Sequence, residues 1–482
     1  MPSASYLSRT PLGILPVPGD PTVYFVWGPN GPGGGVVRGS KASASLDRAA
    51  LVYDWLRGEI RASGTAQIIV TPPPAPSART LYVEPADPWT AYPWVDGELL
   101  VNDAWVLANS VLEGDERVVR GLSRRNMVTG QCAVKVSTQY KVRFEQCQFM
   151  GVGADGTAVG IVGIHGRVRL VDCSLYGPPM AQLANGQFAG WIAPKYFTSV
   201  EVSNCNFRSC GGVHAAEIGA PGNSTDGLIV VANDYYNIDG RYRDSTTSTG
   251  YREGHKRDVD VRFTNAMQLA GGPAGASIYV YAAWNRVRNI QGQSFVEDTF
   301  NTYGVSCSPT RRGVIEHNFL EGAYPVLPGL SYSGGGVLVG DEGGNHWTIQ
   351  KNVVLNTSNY GCGIAGGDDN HIIDNYVMGI NLTPDGRPVE DNTDAGIYIR
   401  NYPSNPRDLS KVYAARNTVS WMKPQWGAGK KWNFSVEADK GTVYDNIEPA
   451  GDVTEAQLQA GRDLWESRRA AAGIVVGRRN PA

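Results

Sequence analysis

Along most of the chain an apolar residue is followed three positions later by Asn or Cys, and two positions after that by another apolar residue. Representative segments are Phe144-Glu-Gln-Cys147-Gln-Phe149, Leu170-Val-Asp-Cys173-Ser-Leu175, Val202-Ser-Asn-Cys205-Asn-Phe207, Ile315-Glu-His-Asn318-Phe-Leu320, Ile349-Gln-Lys-Asn352-Val-Val354 and Ile372-Ile-Asp-Asn375-Tyr-Val377. The central position recurs at 147, 173, 205, 233, 285, 318, 352, 375, 417 and 446, with differences of 26, 32, 28, 52, 33, 34, 23, 42 and 29. Units of this length that are short-stranded and carry no helical period predict the stacked coils of a β-solenoid. The gap of 52 residues predicts one extra coil near Asn265.

A second track, Gly304-Val-Ser-Cys307, Gly336-Val-Leu-Val339, Gly363-Ile-Ala-Gly366 and Gly396-Ile-Tyr-Ile399, falls between members of the first and predicts a second strand in each coil. Asn fits a tight inward turn because it tolerates left-handed backbone angles, and its amide can bond the equivalent amide one coil above. The ladder is therefore read as structural.

The flanks follow other patterns. Residues 1–40 are rich in Pro and Gly around one strand, Thr22–Trp27, and read as a small N-terminal arm or adaptor. Ser45 precedes a helical stripe of Leu46, Ala50, Tyr53, Leu56 and Ile60, stopped by Gly64. Residues 41–130 thus read as a capping helix followed by first, irregular coils, and 131–450 as the solenoid proper, with long insertions at 208–227, 236–260 and 378–395. In 451–482, Thr454-Glu-Ala-Gln457 forms a capping box that opens a C-terminal helix, expected to cap the last coil or grip a neighbouring chain.

Composition narrows the reading. At 482 residues the chain exceeds the length at which one globular core keeps growing, which suits an elongated array. With 43 Lys and Arg against 46 Asp and Glu there is no basic footprint for nucleic acid. No apolar run is long enough to span a membrane, and no secretory leader is expected, since Pro16 and Pro18 interrupt the first apolar stretch. Seven cysteines cannot all pair, and three occupy ladder positions, so buried thiols are expected rather than disulfides.

The short helix bearing Asp47, Ala49 and Ala50, followed by a strand and then the Asn/Cys ladder, resembles the start of pectate-lyase-like right-handed parallel β-helices, over about residues 41–450. With the N-terminal arm it is similar to bacteriophage tailspikes and related virion spikes. That resemblance implies an all-β, right-handed parallel β-helix in a homotrimer on a phage or phage-like particle. Its termini would meet other virion proteins, and its lateral face would meet host capsule, exopolysaccharide or lipopolysaccharide at the extracellular surface of the host.

Candidate chemistry is mainly acidic. Asp341-Glu342 and Asp368-Asp369 each begin four residues after Val337 and Ile364, so they are expected on the same turn of adjacent coils. Strands in parallel register lie about 4.8 Å apart, and carboxyls that close raise one another's pKa, leaving an acid beside a base as glycosidic cleavage requires. The same acids could instead hold Ca2+ between Asp341 and Asp368 or be solvated turn residues; no other cofactor is implied. Glu297-Asp298, with Arg311-Arg312 in the same coil, is a second candidate, able to bind an acidic sugar or to support β-elimination. Loop aromatics offer stacking surfaces for sugars, among them Trp191, Tyr196, Tyr235, Tyr236, Tyr303, Tyr324, Tyr332, Tyr360 and Trp426. Arg311, Tyr303, Tyr332, Trp347 and Arg400 are the substrate-binding candidates. The function expected is that of a spike that binds surface polysaccharide and cleaves it as an endo-glycosidase. The alternatives are a non-catalytic adhesin or structural spike, and a free bacterial polysaccharide lyase.

Overall fold

The computed structural model describes strands Gly13–Val17, Asp20–Trp27 and Val36–Arg38 and then the chain from 93 to 479, apart from short segments at 153–156, 163–166, 219–226, 255–256, 258, 272–276, 331–333, 384–385, 390–392, 402–408, 410 and 438–440. Two compact units divide at Trp89 and Thr90. In the first, the three strands form an antiparallel sheet in sequential order; the helix expected from Ser45 lies outside the described residues.

The second unit is a parallel β-helix. Its strands build three long sheets of 12, 11 and 11 strands, in which, beyond the first strand of each, every third strand of the sequence is a parallel neighbour. Sheet I runs from Val111–Glu113 to Thr442–Tyr444, sheet II from Val95–Asp96 to Thr418–Trp421, and sheet III from Leu99–Val101 to Phe434–Val436. Each coil therefore has three strands, not two. The repeated phrase bends round a corner: its first apolar residue is the last but one of a sheet I strand such as Gly313–Glu316, and its last lies in a short sheet II strand such as Phe319–Glu321. Alternation along each strand sends Val200 and Val202 into a continuous core and leaves Glu201 outside.

The ladder residue occupies the corner. Asn285 Nδ2 donates to Asn318 Oδ1 at 2.9 Å, Asn318 to Asn352 at 2.9 Å, Asn352 to Asn375 at 3.0 Å and Asn375 to Asn417 at 3.0 Å. Each Oδ1 also accepts the backbone N–H of the preceding rung, and the second amide hydrogen goes to a core carbonyl, as from Asn318 to Ala282. The left-handed backbone belongs to the residue before each rung: Ala232, Trp284, His317, Lys351, Asp374 and Arg416 all have φ of 55–59°. Asn is thus suited to its place by its amide rather than by tolerance of positive φ. In the upper coils Cys147, Cys173 and Cys205 take the same place as buried free thiols.

No extra coil fills the 52-residue gap. Asn233 Nδ2 bonds Asn285 Oδ1 directly at 2.9 Å. The additional residues, 237–266, leave between sheets II and III as a folded insertion: Arg241 and Asp239 form a buried ion pair at 2.8 Å, and Val261 packs on Phe295 of the next coil. Asn265 closes this insertion.

Helix α1 covers Asp103–Asn109 and α2 covers Glu455–Ala471, with the Thr454/Gln457 capping box in place. Rather than capping the last coil, α2 lies along the outer face of sheet II. Leu458 and Trp465 pack on Phe319, Val353, Leu355 and Met378, and Trp465 Nε1 donates to the His317 carbonyl at 2.7 Å. The chain then runs back over earlier coils, where Gly477 N bonds the Ala232 carbonyl and Arg479 pairs with Asp172 at 2.8 Å. Asp234 on this face is buried among Arg208, Arg286 and Arg288. Burial opposes its ionisation, but the three guanidiniums outweigh it and hold the carboxyl far below the usual range.

A candidate active site on the outer face of sheet III

Sheet III strand Phe300–Tyr303 pairs with Val337–Asp341, placing Phe300 against Val337 and Tyr303 against Asp341. Phe300 faces the core, Asn301 sits on the outer side but buried, and Tyr303 is 44% exposed. Just before this strand the chain carries Glu297 and Asp298. Thr299 N and Glu297 N are tied to the Gly335 and Thr264 carbonyls, which fixes both acids at the edge of the sheet. The next coil passes so close that a Cβ on Gly334 would lie 1.9 Å from the Glu297 carbonyl oxygen, so glycine is required there.

Asp298 is buried and fully engaged. Its Oδ2 accepts from Asn301 Nδ2 at 2.6 Å, its Oδ1 accepts from Gly335 N at 3.1 Å and from the Tyr360 hydroxyl, and Asn265 Nδ2 donates to its carbonyl at 2.7 Å. Burial raises its pKa; the Tyr360 and Asn301 bonds pull back, the charge of Asp341 pushes up, and the carboxyl settles at about 6. Glu297, half-buried, is raised well above the ordinary glutamate range, first by burial and then by the charge of Asp298. Asp341 is raised by burial and by Glu342, against hydrogen bonds from the Glu342 N–H and from Asn301. Asn301 thus donates to Asp298 and also helps to hold down the pKa of Asp341, and its own Oδ1 is buried with no partner, as is Oδ1 of Asn265. Outermost, Tyr303 meets Glu342, and burial together with the charges of Glu342 and Asp341 raises its phenol pKa.

Two acidic candidates that are separate in the sequence are therefore one cluster: Glu297 and Asp298 with Asp341, Glu342 and Tyr303. Asp368 and Asp369 do not join it. Val337 pairs with Cys362 and Val339 with Ile364, a register that brings Asp341 level with Gly366 and not with Asp368. The expected register is wrong by two residues here, and the Gly304–Cys307 track is displaced as well, its place in the sheet taken by Phe300–Tyr303. A two-residue slip keeps every side chain on its own face, so the apolar pattern does not reveal it. The pairing on which a Ca2+ ion between Asp341 and Asp368 depended is absent, and among the described residues no three His, Cys, Asp or Glu side chains converge as a metal site.

Asp369 has its own surroundings at the corner between sheets III and I. His346 Nδ1 and Arg312 Nη1 reach Asp369 Oδ2 at 2.9 and 2.6 Å, His371 Nε2 reaches Oδ1 at 3.0 Å, and His371 stacks on Tyr413. Burial opposes ionisation, yet the His346 and Arg312 bonds hold this carboxyl below its ordinary range. Such a saturated acid ties three coils together and has little capacity left for a substrate.

Other candidates fall elsewhere. Trp347 is wholly buried and donates Nε1 to the Val305 carbonyl at 2.9 Å, so it is a core residue and not a sugar platform. Arg311 lies over the Tyr279 ring on the sheet I side, 3.7 Å from its centroid. Arg400 pairs with Asp394 at 2.7 Å and lies beside the Trp432 ring. Tyr332 lies outside the described residues. Among the loop aromatics, Trp191, Tyr235, Tyr236, Tyr324 and Tyr360 are buried, whereas Tyr196, Tyr303 and Trp426 are exposed. In the residue order Asn301 is marked only by the alternation Phe300-Asn-Thr-Tyr303, and nothing marks the tether from Tyr360 to Asp298.

No family model matches the sequence, and no curated protein matches it. Among solved structures, the periplasmic alginate epimerase AlgG is similar to this chain. Two crystal structures of its point mutants each give a TM-score of 0.29 at 10% identity, covering 73% of this chain and 84% of that chain. A further AlgG structure gives 0.25, at 10% identity, over 73% and 83%.

Proposed function

We propose that the solenoid binds a polysaccharide along the outer face of sheet III and hydrolyses it at the Glu297–Asp298–Asp341 cluster. The observation that carries this reading is a set of adjacent carboxyls with raised pKa that opens, through Asp341 and Glu342, onto an exposed tyrosine. Glu297 keeps its proton to higher pH than a solvated glutamate and serves as general acid to the departing glycosidic oxygen. Asp341, nearer the surface, ionises and acts from its side as base or nucleophile. Asp298, enclosed by Tyr360, Asn301 and Gly335, is a positioning residue whose charge sustains the proton on Glu297. Tyr303 offers a ring for a pyranose face and a hydroxyl beside Glu342.

Hydrolysis is favoured over β-elimination because four carboxyls gathered at one place repel the uronate carboxylate that a lyase must hold, and Arg311 stands apart from them on Tyr279. The resemblance to virion spikes supports reading the chain as a homotrimeric phage or phage-like attachment protein acting on host capsule, exopolysaccharide or lipopolysaccharide. Incubating the protein with such polysaccharides and assaying new reducing ends is the direct test. Glu297→Gln and Asp341→Asn are expected to reduce cleavage at least a hundredfold while folding normally. Cleavage at the original rate in both variants would overturn the assignment; binding without products from the unaltered protein would make it an adhesin. Sedimentation mass tests the trimer.

A further inference from the structure

We infer that the last coils carry a second, non-catalytic sugar-binding site, a platform made by Trp426 and Trp432. Only the class of ligand, a pyranose of a polysaccharide, rests on the reading given under Proposed function.

The turn Pro424–Trp426 leaves sheet II after Thr418–Trp421 and presents Trp426 with 54% of its surface exposed. Its ring stacks with that of Trp432, centroids 5.1 Å apart at 28°. Large indoles are seldom left so open in a chain that buries Trp347, Trp421 and Trp465 completely. The pair is also held rigid. The buried Lys423 places Nζ 4.3 Å from the Trp432 centroid and 4.9 Å from that of Trp426 while donating to the Thr393 carbonyl, and Arg400 lies 5.5 Å from Trp432. Fixed aromatic faces lose little freedom when a ligand settles on them.

Beside the platform is a wide, open depression of about 550 Å3 lined by Lys431, Trp432, Asn433, Phe434, Glu448 and Pro449. Its polar groups are both donors and acceptors: Lys431 Nζ donates to the Pro449 carbonyl at 2.8 Å, and Asn433 Nδ2 donates to Glu448 Oε2 at 2.6 Å. An ammonium and a carboxylate with hydrogen-bonding capacity beyond those contacts match the paired donor and acceptor character of sugar hydroxyls, and the indoles match the C–H face of the ring. The depression is open to solvent, and after Pro449 the chain goes on to form α2 on sheet II.

The position suits a distal subsite. Strand Phe434–Val436 pairs with Ile397–Ile399, that with Cys362–Ile364, and that with Val337–Asp341. Three such steps along sheet III place the platform's coil about 14 Å from that of the acid cluster, a span that a few linked sugars cover.

The test is affinity electrophoresis through gels cast with a fixed panel of bacterial capsular polysaccharides, O-antigen polysaccharides and dextran. Full-length protein is compared with Trp426→Ala, Trp432→Ala and Glu297→Gln. Retardation by at least one polysaccharide is expected, weakened tenfold or more in both tryptophan variants and retained in Glu297→Gln, with cleavage of oligosaccharides too short to span both sites unchanged in Trp426→Ala. Trp426 is exposed, so its replacement is not expected to impair folding, which circular dichroism checks. Absence of retardation by every polysaccharide, or equal retardation of Trp426→Ala and unaltered protein, would overturn the platform. Continued cleavage by Glu297→Gln would overturn the catalytic reading and leave the platform standing.

Discussion

The Asn ladder and the acid cluster both bury polar side chains at corners of the same coils, and they end in opposite conditions. In the ladder each interior amide gives two hydrogen bonds and takes two, so that rungs from Asn285 to Asn375 leave no donor or acceptor idle. In the acid cluster two asparagines turn their N–H groups to the acids and leave Asn265 Oδ1 and Asn301 Oδ1 buried without partners, and three carboxyls are displaced from their ordinary pKa. A satisfied network specifies a structure. An unsatisfied one, retained in a fold that builds the other kind on rung after rung, stores unfavourable electrostatics where a reaction can relieve them. The Asp369 corner, with every carboxylate oxygen bonded, belongs with the ladder in this respect.

Substitutions can sharpen that contrast. The largest loss of stability is expected from Asn318→Ala, which removes two donated and two accepted buried bonds and should cost about 4 kcal/mol or more in urea unfolding. Asn446→Ala, on the partly exposed last rung, should cost clearly less; equal losses would mean that the ladder does not act through burial. Gly334→Ala drives a methyl into the Glu297 carbonyl and should destabilise by about 2 kcal/mol, with a greater proportional loss of polysaccharide cleavage. If cleavage survives intact, the closeness of these two coils is irrelevant to the site.

Asp298→Asn acts through pH. The carboxyl titrates near 6 in the folded chain against 3.8 ordinarily, so the folded state holds its proton longer than the unfolded state. This group therefore lowers stability as pH rises from about 4 to about 6, and the loss persists above that window. Asp298→Asn should flatten that part of the stability curve while reducing cleavage, and an unchanged slope from thermal melts across the window would show that Asp298 is not the strained group. The smallest effect is expected from Arg479→Ala: the Arg479 side chain is half exposed, and loss of its pair with Asp172 should cost less than about 1 kcal/mol. A large loss there would mean that the returning C-terminal tail is as integral to the fold as the ladder.

Much of this was legible in residue order. The ladder positions, the thiols that substitute for asparagine and the capping box of α2 all follow from local chemistry, and Glu297, Asp298, Asp341 and Glu342 were each recognisable as candidates. Their union was not. Coil length varies with the insertions, so spacing cannot say that Glu297, which precedes one sheet III strand, and Asp341, which ends the next, act on one another over the outer face of the sheet, while Asp368, nearer to 341 in sequence, is two residues out of register with Asp341. Trp347, a substrate-binding candidate, and Trp426, a loop aromatic, both read as possible sugar contacts, and only packing separated a core residue from an exposed one.

What the sequence determined by itself was the period: apolar residues in alternation, and an amide or thiol at each corner, permit little other than parallel coils. The tertiary structure alone decided the register between coils, the path of the 237–266 insertion and the lateral course of α2. The reason is physical. Alternation distinguishes inside from outside but is unchanged by a two-residue slip, so vertical neighbours are chosen by the fit of whole coils, by Gly334 passing under Glu297 and Val339 settling on Ile364, and not by any pattern within one strand.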